Sequence, residues 1–262
     1  MRTALASLIV ALAAFPASAQ EVTDDWALTV DQSRNLMLAT AAYSTGQTIA
    51  VRCRAGVLDV LVTALPVVAG RSRFVETTVG ERPTERGWWF SGEAGAAILS
   101  ATPAPTARSL RAGGRLRLSV ALDTENDGPM RRYAFDLPGQ SASLDRVLDA
   151  CGTPKTDARD DLPRWMQSRV SVDELWSRVA FPEFPMEAIS AGIGSGYAVL
   201  SCVIDADGRP RQCQVESESD RRAGFGRSAL RAMSASRVSL TAEGGPRPGE
   251  LAVFTIILQP PR

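Results

Sequence analysis

The sequence predicts an α+β protein. A mostly-β sandwich or barrel-like part with a closing helix comes first. A small two-layer α/β unit follows, ordered helix–strand–strand–helix–strand over an antiparallel sheet. Three observations carry this. Short apolar runs broken by turn signals roughly every 10 residues fill the first half. The charged stretch Thr153–Asp161, TPKTDARDD, then separates two apolar regimes. Beyond it, Tyr197–Ser217 reads as a β-hairpin with a cysteine on each arm.

The chain opens with Arg2, a short apolar run Ala4–Phe15 and the small-residue site Ala17-Ser18-Ala19. This pattern predicts a signal peptide over 1–19, cleavage before Gln20 and export to the periplasm. The run is well short of the ~20 residues of a spanning helix. No cysteine follows the cleavage site to take a lipid, and no other segment has spanning length. The predicted division is then a β-rich domain over 20–153, a linker and helix over 154–180, and a C-terminal domain over 181–262.

Twenty-nine basic residues balance 29 acidic ones, so the footprint of a nucleic-acid binder is absent. Histidine is absent too, which excludes Ser-His-Asp and Cys-His nucleophile systems. Ser-Lys chemistry would need Lys155, the only lysine, which lies in the linker. Without histidine or a CxxC pair, the common zinc sites lack their ligands. No catalytic, metal or cofactor residue is assigned, and a non-enzymatic protein is expected. A carboxylate-based envelope hydrolase remains as the enzymatic alternative.

Candidate strands of the first half are Trp26–Val30, Leu36–Ala42, Thr48–Arg54, Val57–Leu65, Ser72–Val79, Trp88–Phe90, Ala96–Ser100, Leu116–Leu122 and Arg131–Leu137. Ser141–Ala150 reads as the closing helix, with Leu144, Val147 and Leu148 on one face and Gly152 as its stop. Trp88 and Phe90 are expected in the core and Trp89 outside, since neighbours on a strand point oppositely. Asp123–Gly128 imitates the start of a calcium loop but has Ala134 where the bidentate glutamate belongs, so it reads as a solvated turn. Asp24-Asp25 and Asp160-Asp161 lie at segment edges in polar sequence, with nothing to desolvate them as acid/base pairs. Trp165, Met166, Leu175, Trp176 and Val179 recur at helix-like spacing and read as a helix packed on the C-terminal unit. Gly192–Gly196 follows a helix and precedes a strand, the reverse of a dinucleotide loop, and reads as a connection.

In the hairpin, Leu200, Cys202 and Ile204 share one face, as do Cys213 and Val215. Asp207-Gly208 tolerates the positive φ angles of a tight turn. With that dipeptide at the centre, Cys202 lies opposite Cys213 and Leu200 opposite Val215. A two-residue loop puts the cysteines at a hydrogen-bonded pair, about 5.5 Å apart at Cα; a four-residue loop puts them at the closer kind of site. Both are within disulfide reach. Four cysteines allow three connectivities; Cys202–Cys213 leaves Cys53–Cys151. In the second helix Phe225, Ala229, Ala232 and Met233 share the face that covers the sheet. Leu251–Leu258, apolar almost throughout, reads as a strand covered on both faces or lying against a partner.

The run from Phe181 to about Pro260 resembles the C-terminal domain of TonB-type energy transducers. The matching pieces are Phe181-Pro182, a short helix, Gly196, the hairpin Val203–Gly208, its exit Val215–Ser219, the helix start Gly224–Leu230 and the last strand. The resemblance implies an antiparallel sheet that binds an extended segment of an envelope protein, such as an outer-membrane transporter, by strand addition. The partner-binding candidates it implies are Leu251, Val253, Phe254, Thr255 and Ile257 on the final strand. The chain departs from the family in its cleavable leader, its lack of histidine and its lack of a Pro-rich spacer. The Cys-bracketed β pattern of the first part resembles, in diffuse outline, exported β-domains of the invasion-associated B type. The expected function is a soluble periplasmic binding or scaffold protein. The alternative is an anchored, transducer-like protein serving outer-membrane transport.

Overall fold

In the computed structural model, residues 24–92, 95–123, 128–166 and 172–260 are described. The predicted leader at 1–19 and positions 124–127 of the calcium-loop imitation lie outside them.

The alternating runs form nine antiparallel strands: β1 (Ala27–Asp31), β2 (Leu36–Ala42), β3 (Thr48–Arg54), β4 (Val57–Thr63), β5 (Ser72–Val79), β6 (Glu85–Ser91), β7 (Ile98–Leu99), β8 (Arg115–Ala121) and β9 (Met130–Asp136). Their order across the sheet is β1-β2-β3-β4-β7-β6-β5-β8-β9. The two-residue turn Ala55-Gly56 joins β3 to β4 with both residues at positive φ, 50° and 77°, the conformation a type I′ hairpin requires. The sheet curls until its ends meet. The Gln140 amide donates to the Asp24 carbonyl at 2.8 Å, and the rings of Tyr43 and Phe135 lie 4.6 Å apart. The result is an open barrel filled by Ile49, Val51, Val60, Leu118 and Phe135.

Helix α1 (Pro103–Arg111) packs on β4 and helix α2 (Ala142–Ala150) on β2 and β3. The first is absent from the sequence expectation. Its prolines at 103 and 105 look like loop signals, yet the first turn of a helix needs no N–H there. In α2, Leu144, Val147 and Leu148 are fully buried. A carboxylate oxygen of Asp25 accepts from both the amide and the hydroxyl of Ser143 at 3.0 Å, so one of the paired aspartates caps this helix. The Cys53–Cys151 disulfide, 5.5 Å between Cα atoms, ties the end of α2 to β3.

The second half comprises β10 (Arg164–Met166), α3 (Val172–Leu175), β11 (Trp176–Arg178), α4 (Met186–Ser190), β12 (Gly196–Ile204), β13 (Pro210–Glu218), α5 (Phe225–Ala235), β14 (Arg237–Val238) and β15 (Leu251–Leu258). The main sheet runs β10-β15-β12-β13; β11 and β14 pair separately. Helix α5 lays Phe225, Ala229 and Met233 over Leu200, Cys202 and Phe254. A Cβ on Gly196 would sit 2.2 Å from the Phe225 ring, so glycine there lets helix and strand close up.

Two expectations fail. The helix through Trp165 and Trp176 does not form. Trp165 and Met166 are strand residues on opposite faces, the first against Phe254 at 5.7 Å and the second toward the barrel; Trp176 lies in β11, 5.2 Å from Phe254. Trp165, Leu175 and Trp176 cover one face of the C-terminal sheet from separate short elements, Met166 lies on the barrel side, and Val179 is exposed. On β6 the outward placement of Trp89 fails as well: Trp89 packs on the barrel core, while Phe90 is held in a second apolar cluster with its ring 4.4 Å from that of Tyr197. Both faces of β6 are covered, so alternation carries no inside and outside there.

Candidate functional site

The hairpin turn has three loop residues, Ala206, Asp207 and Gly208. The amides of Asp205 and Gly208 close it on the carbonyls of Arg209 and Asp205, each at 3.0 Å. Near the turn Val203 therefore faces Arg211. Gln212, at φ 49°, is then an extra residue, a β-bulge that restores the expected pairing of Leu200 with Val215. The Cys202–Cys213 disulfide spans this bulge with Cα atoms 4.1 Å apart. A second bulge follows at Glu216, after which Val199 pairs with Ser217. It reverses the facing of the strand. Ser217 donates to the Ala101 carbonyl at 2.8 Å, and Glu218 accepts the Gly226 amide at the start of α5 at 2.7 Å.

The bulged edge of β13 is closed by charge. Arg159 donates at 3.1 Å to the Gln212 carbonyl and the Ser201 hydroxyl, and its guanidinium lies 2.9 Å from Asp157 and 3.8 Å from Glu216. Arg108, on α1, holds Asp160 with two hydrogen bonds. Arg164 meets Glu85 at 2.9 Å and Asp160 at 3.4 Å. Asp160 is thus desolvated after all, against its polar sequence neighbours; its side chain is 10% exposed. Burial pushes the Glu216 carboxyl up, against the Ser201 hydrogen bond and the arginine charges. The hydrogen bond from Arg159 holds Asp157 below the usual carboxylate range. For Arg108 burial opposes the charge, but the Asp160 hydrogen bond and neighbouring carboxylates outweigh it, and its pKa rises.

The opposite edge of the sheet is β10 over three residues and, beyond them, β15. Its candidate residues separate into two groups. Leu251 and Val253 are buried, and over Leu251–Val253 the outer edge is already taken by β10, which runs parallel to it. Over those three residues the edge that the resemblance offers to a partner is occupied by β10. Phe254 turns its side chain to Trp165 and Trp176 in the core. Thr255 and Ile257 are exposed, Ile257 at 69%. Among the described residues no strand pairs with the outer edge of Phe254–Leu258. Sequence reasoning missed β10: three residues after a proline carry too little pattern to read.

A cleft of about 1050 Å³ opens beside β10, lined by Phe74, Glu76, Glu85, Asp160, Trp165 and Gly244 among others. Burial is the main cause that pushes the Glu85 carboxyl up, although Arg164 and Arg82 oppose it. No helix among the described residues is long and apolar enough to cross a membrane.

Comparison with curated proteins finds no match. Among solved structures, the invasion associated protein B of Bartonella henselae is 18% identical, with a TM-score of 0.36, over 49% of this chain and 95% of that one. The family model of the Gram-negative bacterial TonB protein C-terminal matches residues 180–256. That span begins just before Phe181-Pro182, takes in the hairpin with its disulfide and α5, and ends within β15, so the last third of the chain carries the TonB C-terminal pattern.

Proposed function

We propose that the chain is a periplasmic, non-enzymatic binding or scaffold protein whose C-terminal module captures an extended segment of an envelope protein by strand addition. The observation that carries this reading is the contrast between the two edges of one sheet. The β13 edge is spoiled by two bulges and sealed by Arg159. The β15 edge is left unpaired over Phe254–Leu258 among the described residues. An unpaired edge offers main-chain hydrogen bonds for affinity, and alternate side chains such as Thr255 and Ile257 for selectivity. A segment of an outer-membrane transporter is the partner that the TonB-like module favours. We also propose the division 20–153, 154–180 and 181–262, with the middle stretch as a connection that supplies both β10 and the buried arginine–carboxylate cluster. Pull-down from envelope extract with the full chain tests the binding reading. Wild type is expected to retain one partner, and the variant carrying Thr255→Asp and Ile257→Asp to lose it at least tenfold. Equal capture by both would contradict it.

The cleft favours a second reading, a carboxylate-based envelope hydrolase, because Glu85 with its raised pKa and Asp160 both line it. Release of fragments from purified peptidoglycan, abolished by Glu85→Gln, would establish that activity; no release from wild type would remove it.

A further inference from the structure

The strand already seated on β15 is unlike the others in its sheet. It is three residues long, it runs parallel to β15 while the remaining pairs are antiparallel, and it comes from the connecting segment. Its backbone contact includes a 2.9 Å hydrogen bond from the Leu251 amide to the Pro163 carbonyl. Trp165 donates to the Gly244 carbonyl at 2.6 Å. Met166 packs toward the barrel, where it fills the space over Gly87.

The charged residue of this strand points the same way as Met166, toward the barrel. Arg164 is 9% exposed and reaches Glu85 on β6, with Asp160 as its second partner. The barrel thereby grips a strand that belongs to the other sheet. So short a ladder is weakly held by itself, and the cross-connection to Glu85 supplies a hold that an incoming strand could not reproduce.

We propose that β10 is an autoinhibitory strand, latched on the β15 edge by the Arg164–Glu85 pair, which a partner strand displaces to gain the whole edge from Leu251 to Leu258. This rests on the strand-addition reading. It makes capture depend on how the barrel sits against the C-terminal sheet, so a ligand or contact that shifts β6 would change affinity at β15.

The test uses the full chain, as wild type and as Arg164→Ala. The probe is a fluorescein-labelled peptide of the chain's own residues 162–171, LPRWMQSRVS. Hydrogen exchange over 164–166 is read alongside peptide binding. The latch predicts exchange at least tenfold faster over 164–166 in the variant, unchanged protection over β12, and peptide binding at least fivefold tighter than to wild type. Unchanged exchange over 164–166 would overturn the latch and leave strand addition standing. Released β10 with equal binding to both proteins would overturn the inhibition alone. Released β10 with no binding to either would overturn the inhibition and count against strand addition as well. Should Arg164→Ala fail to fold, Glu85→Ala removes the barrel side of the same contact, keeps Arg164 on Asp160 and is read by the same outcomes.

Discussion

Ala55 occupies the left-handed region at φ 50° in the β3–β4 turn, where a Cβ is strained and asparagine is better tolerated. Ala55→Asn should raise stability by about 0.5–1 kcal/mol, read as a higher urea midpoint with an unchanged slope. Glu216 is a different case. Its carboxyl is pushed above the ordinary glutamate value of 4.5 chiefly by burial. A carboxyl raised on folding favours the folded state when protonated, so its contribution is lost as pH climbs from 4.5 through the folded value. Glu216→Gln removes that decline while keeping an acceptor for Ser201. Urea midpoints at pH 4 and pH 7 should show a flatter profile for the variant, with stability at pH 7 equal to or above wild type. A loss above about 2 kcal/mol at pH 7 would mean that the Arg159 pairing outweighs desolvation. The raised Glu216 could not be foreseen, because the residue alternates with Gln212 and Gln214 as if on a wet face. The bulges and the arginines from distant segments bury it.

At the scale of elements, the hairpin was the most legible part of the chain. Turn residues, alternation and cysteine spacing agreed, and the far register of Leu200 with Val215 is present. What differed is local: a three-residue turn shifts the pairing by one, and a bulge at Gln212 shifts it back. The disulfide locks that correction in place. Replacing both cysteines with alanine should cost about 2–3 kcal/mol, the loop-closure value for so short a ring, measured by denaturant unfolding against wild type. A cost near zero would mean that the bulge registers itself. Helix α1 and strand β10 were not legible for the same physical reason. One begins on prolines and the other is three residues long, so both are defined by what they pack against. The helix expected through Trp165 and Trp176 fails because the apolar residues serve two separate surfaces.

For the molecule as a whole, the fold class and both disulfide pairings were readable, whereas the junction between the two sheets was not. That junction joins Arg108 of α1, Asp157 to Arg164 of the connection and Glu216 of β13, residues whose meeting no local pattern announces. The candidate edge was half readable: apolarity marked β15, but the presence of β10 on its first three residues was hidden. The proposed export makes a further prediction. The N-terminus of the protein recovered from cells should be Gln20, and a start at Met1 would favour the anchored alternative. Strand addition itself is tested most directly by photo-crosslinking in cells from single positions 255, 256 and 257, with a control at the exposed Val30 on β1. Capture of an extended segment predicts crosslinks to one envelope protein from 255 and 257, landing about two residues apart on it, and none from 256 or 30. Crosslinks from 30 alone, or from 255, 256 and 257 without period, would contradict it.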